Sequence, residues 1–445
     1  MMRSLLRITF FTLCILLMAC LVVPQSSPAS QMPGQPSRQV PARLTLDEAH
    51  RMALQNHPQI QAAQSAAAAA GEVTTQVRSA YYPNVYGSIT GVETDNGSRI
   101  AAGFLNNPSV FNRFASGVGL EQLVTDFGRT QNLVASARLQ AQAAEADVNF
   151  SRADVLLTVD LAFYGALRAQ AILTVAEQTV KQRQTAADQI NVLAQNQRKS
   201  GLDVSFANVV LGEARLLLVK AQNDVAASQA ILSEALGVPD QQKFDLVEVQ
   251  AAAPTLPTMD EAIAQANQLR PEIAALRLEV DSAQHFATAE RDLLLPTISL
   301  AGVAGVVPYR QPQLPEAYSA AGFNVHIPIF NGKLYGARRA EADDRTRQAQ
   351  ASLNDLQGKI ARDVRLAWLS ANTALQNLSL TAQLFEAANK ALELAQSRYD
   401  LGLSNIVELN QAQLSAAEAG IAEASAKYDY ATRLSELAYQ EGVLR

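Results

Sequence analysis

Only two cysteines occur in the 445 residues, Cys14 and Cys20, and both fall inside the apolar stretch at the N-terminus. The rest of the chain therefore has no thiol for a disulfide, a nucleophile or a cysteine zinc site. Histidine is nearly as scarce: His50, His57, His285 and His326 are scattered, with no HExxH, GxSxG or phosphate loop beside them. An enzyme, a resident metal and a cofactor are left without residues to carry them. Aromatic residues make up 6% of the chain while 48% is hydrophobic. Large globular interiors are built on bulky rings, so this shortage points to long surfaces packed with small side chains. The net charge is −6 with no basic run. Nucleic acid is excluded as a partner, because phosphate binding depends on clustered cations.

Arg3 and Arg7 followed by the apolar run Ile8 to Val23 form the charged and hydrophobic regions of a secretory signal. Two processing points fit. Cleavage after Ala29 gives a signal peptide of residues 1–29, and cleavage before Cys20, within Leu17-Met18-Ala19-Cys20, gives 1–19 and a lipidated Cys20. No later stretch is expected to reach the ~18 to 20 apolar residues of a membrane-spanning helix. Loss of residues 1–29 leaves 34 basic against 42 acidic residues, a net −8. Residues 30–43, with Pro33, Gly34, Pro36 and Pro41, read as a flexible leader.

The remainder repeats itself. Asp47-Glu48-Ala49, Pro58 and Pro83 match Asp260-Glu261-Ala262, Pro271 and Pro296, with 11 residues from Asp to Pro and 25 from Pro to Pro in both. Asp126-Phe127-Gly128-Arg129 then aligns with Phe330-Asn331-Gly332-Lys333 at an offset of 204, and Gly201-Leu202 with Gly402-Leu403 at 201. The first copy spans 44–240 and the second 257–445, with 241–256 as a linker. Each copy reads as a capped helix, a helix ending near a proline, a strand pair, a very long helix, a Gly-Leu turn and a returning helix. Asp260 is expected to cap its helix, and Pro271 to open the next.

Strand pairs are expected near 84–125 and 297–330. Ile298, Leu300 and Val306 alternate with Thr297, Ser299 and Gly305, and Phe323, Val325, Ile327 and Ile329 alternate with Gly322, Asn324, His326 and Pro328. One apolar face opposite a face of small residues suits a strand between lipid and a wet lumen. The helices carry heptad seams: Val155, Val159, Ala162 through Ala187 and Ile190, with Arg183 alone out of character, and Ile360, Val364 through Ala395 and Tyr399. Each long helix would run roughly 100 Å at ~1.5 Å per residue, more than a compact domain needs.

The duplicated Asp-Glu-Ala helix start, the proline before each hairpin, the Phe-Gly-Arg or Phe-Asn-Gly-Lys after it, and the Arg398-x-x-x-Gly402-Leu403 turn resemble the TolC-like outer-membrane factors. The resemblance covers residues 44–445. It implies an α+β, mainly α membrane protein: a homotrimer with a twelve-stranded outer-membrane β-barrel, four strands per protomer, continued by long antiparallel coiled-coil helices as a periplasmic α-barrel. The implied role is the passive exit duct of a tripartite efflux pump, working with a periplasmic adaptor, an inner-membrane transporter and outer-membrane lipid. The alternatives are the outlet of a type I secretion system or a soluble periplasmic adaptor. By the same resemblance Gly201, Leu202, Gly402 and Leu403 form periplasmic tips that dock the adaptor. Glu408 and Gln411 fall on the pore constriction, Gln411 replacing an acid of the family pattern. Arg198, Asp203 and Asp400 are candidate closed-state links.

Overall fold

The computed structural model describes residues 43–93, 113–238, 243–248, 256–309 and 315–444. Both processing points, Cys20 included, lie outside the described residues, as do residues 30–42 and 94–112.

The short helices start where their caps dictate. The Thr45 hydroxyl accepts the Glu48 amide at 3.3 Å and the Glu48 carboxylate accepts the Thr45 amide at 3.0 Å, a reciprocal box that opens α1 (Leu46–Asn56). Thr258 and Glu261 build the same box at α5 (Met259–Leu269). The sequence had placed the cap at Asp260, which instead sits in the first turn. Thr258 has the extended backbone a cap needs, and its partner three residues on is Glu261. Pro58 and Pro271 open α2 (Pro58–Arg78) and α6 (Pro271–Arg291), where a missing amide hydrogen costs nothing. A single 3-10 turn follows each, then Pro83 or Pro296, then strand β2 (Asn84–Val92) or β5 (Thr297–Tyr309).

β2 pairs with β3 (Arg113–Thr125), β3 with β5, and β5 with β6 (Ala317–His326), giving one antiparallel sheet in the order β2-β3-β5-β6. Val85, Leu120, Gly302 and Ala321 lie in one cross-strand row. This register places Val85, Ile89, Val118, Leu120, Leu300, Phe323 and Val325 on one face, and Asn84, Tyr86, Ser88, Glu121, Ser299 and Asn324 on the other. The apolar face is bare: Ile89 is 66% exposed and Phe323 77%. The last strand ends at His326, short of the expected 330. Pro328 has no amide hydrogen for a ladder, and the strand gains length at its start instead.

Beyond the hairpins, α3 (Arg129–Gln195) and α7 (Leu334–Asp400) are each 67 residues long, about 100 Å at ~1.5 Å per residue. Their equivalent residues stand 205 apart, from Arg129 and Leu334 to Gln195 and Asp400. The sequence match of Gly128 with Gly332 is thus one residue out. Each long helix is entered through two consecutive left-handed residues, Phe127-Gly128 in the first copy and Gly332-Lys333 in the second. Glycine relieves one of the two positions in each, but not the same one, so glycine identity misaligns the copies.

Helix α4 (Gly201–Ala235) returns along α3, and α8 (Ile406–Glu441) along α7; α3 also packs on α2, α6 and α8. Val155, Val159, Ala162, Ala166, Ala187 and Ile190 of the first seam are buried, as are Ile360, Val364, Ala371, Ala395 and Tyr399 of the second. One correction concerns apolar runs: α3 contains a stretch long and apolar enough to cross a membrane, but 56% of that stretch is buried among its neighbouring helices.

Girdling elements hold the middle. β1 (Arg43–Leu44) pairs in parallel with β4 (Asp245–Leu246). Trp368 Nε1 donates to the Pro257 carbonyl at 2.8 Å, and His50 Nε2 lies 2.5 Å from Asp160 Oδ1. Gly237 and Gly442, both left-handed, follow α4 and α8 and press on the ends of α1 and α5.

Candidate functional site at the helical tips

The two helix turns farthest from the sheet share one construction. Each long helix closes with a left-handed residue whose successor's amide reaches back five residues: Arg198 N to Leu193 O at 2.8 Å, and Leu403 N to Arg398 O at 2.8 Å. The left-handed residues are Gln197 and Gly402. Gly201, matched to Gly402 from the sequence, is the first residue of α4 and stands opposite Ile406. The Gly-Leu dipeptides are therefore a coincidence of sequence four residues out of structural step. Ser200 and Asn405 are the true equivalents, as the caps of α4 and α8, and Asp203 and Glu408 both sit three residues after them.

These two acids behave differently. Asp203 turns back on its own cap, accepting the Ser200 amide at 2.9 Å and hydroxyl at 2.8 Å. The Glu408 amide donates to Asn405 Oδ1 at 2.9 Å, while its carboxylate reaches Arg398 Nε at 3.1 Å. Lys199 Nζ lies 3.7 Å from the centre of the Tyr399 ring, joining the first turn to the second. Burial pushes the Tyr399 hydroxyl up from its ordinary pKa, and Asp203 and Asp400 add to the effect. Asp400 accepts from Gln396 Nε2 at 3.0 Å. Arg198 and Gln411 are exposed. The structure thus brings Asp203 and Asp400 around Tyr399, and holds Glu408 on Arg398.

Beneath the turns, Ala187, Ile190, Ala207, Leu211, Ala395, Tyr399, Ile406 and Leu409 form one apolar cluster drawn from all four long helices. Just above it Arg183, 6% exposed, donates to Gln413 across the α3–α8 seam. Burial holds the Arg183 pKa down, against the opposing charge of Glu213. The sequence marked Arg183 as a fault in the seam but did not single out its partner; Gln413, a polar residue seven positions after the buried Ile406 of α8, was the available signal. Outside the cluster Leu202, Leu401, Leu403 and Val407 are exposed, between 58% and 74%. The tips therefore carry an apolar rim around a charged turn.

This arrangement has known counterparts. The profile of the outer membrane efflux protein family matches residues 49–238 and 262–440, one segment in each copy. The chain is 23% identical over 414 residues to outer membrane protein TolC of Vibrio cholerae, covering 90% of this chain and 91% of that protein. It is 24% identical over 430 residues to the alkaline protease secretion protein AprF of Pseudomonas aeruginosa, covering 90% and 85%. Among solved structures, the outer membrane protein VceC of Vibrio cholerae superposes with a TM-score of 0.76 at 17% identity, over 89% of this chain and 96% of that one. The shared fold reaches from the sheet to the tips.

Proposed function

The chain belongs to the outer membrane efflux protein family, and from that premise we propose that three copies close into one outer-membrane exit duct. The protein is a conduit and not an enzyme. The observation that carries closure between copies is the sheet: four strands with an exposed apolar face and, among the described residues, no partner on the outer edges of β2 and β6. Open edges leave backbone groups unpaired in lipid, so the sheet needs further strands, and the smallest closed barrels use about eight. Two, three or four copies would supply eight, twelve or sixteen strands, and the resemblance to the TolC-like outer-membrane factors selects three.

The helices support the same closure between copies. Leu202, Val209 and Leu216 of α4 recur every seven residues and are exposed; Leu366, Leu380 and Leu394 of α7, and Leu401 just after it, recur at multiples of seven and are exposed too. Among the described residues these seams have no in-chain neighbour. Joining the α4 stripe of one copy to the α7 stripe of the next closes a twelve-helix tunnel in register with the barrel.

In this reading the apolar rim at Gly201, Leu202, Gly402 and Leu403 docks a periplasmic adaptor, which links the duct to an inner-membrane transporter. Glu408 and Gln411 line the constriction, and Arg198, Asp203 and Asp400 connect neighbouring tips in the closed state. Service as the outlet of an efflux pump is the primary role; the likeness to a protease secretion protein favours polypeptide export as the second reading.

Light scattering of the detergent-purified protein tests the assembly. A protein mass of three mature chains is expected, and a monomer that needs no detergent to stay in solution would overturn it.

A further inference from the structure

We propose that Glu121 and Tyr86 form a cation-binding ring where the barrel meets the tunnel, a contact point for organic cations of the quaternary ammonium type. The proposal rests on the closed trimer described above. Glu121 pairs across the sheet with Asn84, the first residue of β2, so it lies at the helix end of the strands. It belongs to the polar face, which faces the lumen if the apolar face meets lipid. The Tyr86 hydroxyl stands 3.5 Å from Glu121 Oε1. The Tyr86 ring lies against Gly119: a Cβ on that glycine would come within 2.5 Å of Tyr86 Cζ. Only glycine allows this position, and the ring is left 43% exposed beside the carboxylate.

Charge balance gives the pair its meaning. Among the four strands the charged or titratable residues are Arg113, Glu121, His326 and the tyrosines. Arg113 pairs with Val92, eight residues along β3 from Glu121, or ~26 Å at ~3.3 Å per residue. That exceeds the ~8 Å over which salt leaves charges in contact. His326 stands opposite Thr297, four residues along β5 from Ala301, the partner of Glu121, and so ~13 Å away along the strands. Within the described strands, Glu121 therefore has no basic neighbour. Glu408 at the tip, by contrast, already holds Arg398.

Scale decides whether such a ring acts on the whole lumen. Twelve strands ~4.8 Å apart and tilted ~40° give a backbone radius of about 12 Å. Glutamate and tyrosine side chains reach inward by several ångströms, which leaves the axis within one screening length of all three carboxylates. A quaternary ammonium ion at the wall meets a carboxylate and an aromatic face together, the pairing that such cations favour.

The test is the reconstituted trimer in a planar bilayer, with tetraethylammonium added on the barrel side. Reduced potassium current is expected with the wild-type protein. Glu121→Gln should weaken the block by about tenfold and Tyr86→Leu by a smaller factor. Glu121→Lys should abolish it and shift the reversal potential toward anions. Equal block in the wild type and both Glu121 variants would overturn the ring while leaving the duct intact. A protein that scatters as a monomer and conducts no current would instead overturn the trimer, and the ring with it.

Discussion

Arg398 Nε stands 3.1 Å from Glu408 Oε1, across the turn that joins α7 to α8. At the equivalent place in the first copy stands Leu193, which offers no cation, and there the acid, Asp203, folds back onto its own cap. One substitution thus separates two electrostatic states of the same turn. Replacing Arg398 with leucine removes a positive charge beside Glu408 and should raise cation preference, read as a larger reversal potential under a salt gradient. The pair is about half exposed, and such pairs contribute less than ~1 kcal/mol, so the melting temperature should stay where it is. An unchanged reversal potential would place Glu408 away from the ion path.

Arg183 and Gln413 tie α3 to α8 inside the protein. Gln413→Leu leaves a buried guanidinium without that acceptor, at a cost of about 1–3 kcal/mol. Adding Arg183→Leu removes the stranded charge and should restore most of the loss, since apolar pairs commonly replace buried polar ones without penalty. Thermal unfolding of the single and double variants in detergent measures both effects.

Glu441 lies where the first copy has Leu236, which is fully buried, and is itself only 8% exposed, with no hydrogen-bond partner for Oε1 among the described residues. Burial holds its carboxyl above the ordinary pKa of 4.5. A raised carboxyl makes the folded protein the better proton binder, so its contribution is intact below the unfolded pKa and is lost as pH rises through the folded one. Glu441→Leu should therefore raise the melting temperature at pH 7, by the equivalent of about 1–3 kcal/mol for an unpaired buried group. The gain should shrink as pH is lowered below ~4. A variant that stabilises equally at both pH values would contradict this account.

Gly237 and Gly332 are both left-handed, but they differ in surroundings. A Cβ on Gly237 would stand 3.0 Å from the His57 Cα and 3.1 Å from the Asn56 carbonyl carbon, whereas one on Gly332 meets nothing within 4 Å. Gly332→Ala should cost only the backbone penalty, about 1–2 kcal/mol. Gly237→Ala adds a collision with rigid backbone and should lower the melting temperature further. Gly442→Ala, at 2.9 Å from the Arg270 amide nitrogen, should behave like Gly237→Ala.

The legible parts of this fold were those set by local chemistry. Asp-Glu-Ala at a helix start, proline at the first turn of the next helix, and alternation in the strands each act within a few residues, so the short helices and three of the four strands of the larger sheet could be placed, though the cap itself was misassigned. The tips were legible as turns but not in register. At the sheet end, two residues of left-handed backbone can be relieved by one glycine in either place, and at the tips a chance Gly-Leu pair displaced the alignment by four residues. The site's contacts were less visible still: Arg398 with Glu408, Lys199 with Tyr399 and Arg183 with Gln413 join residues brought together only by the packing of four helices.

The equal length of α3 and α7 sets both turns at the same height, yet one turn ends in a self-capped aspartate and the other in an arginine–glutamate pair. Around a closed trimer the lower rim would then alternate between these two chemistries, three of each. A six-fold partner built from identical subunits would meet two kinds of landing place, and its subunits would have to divide into two classes on contact.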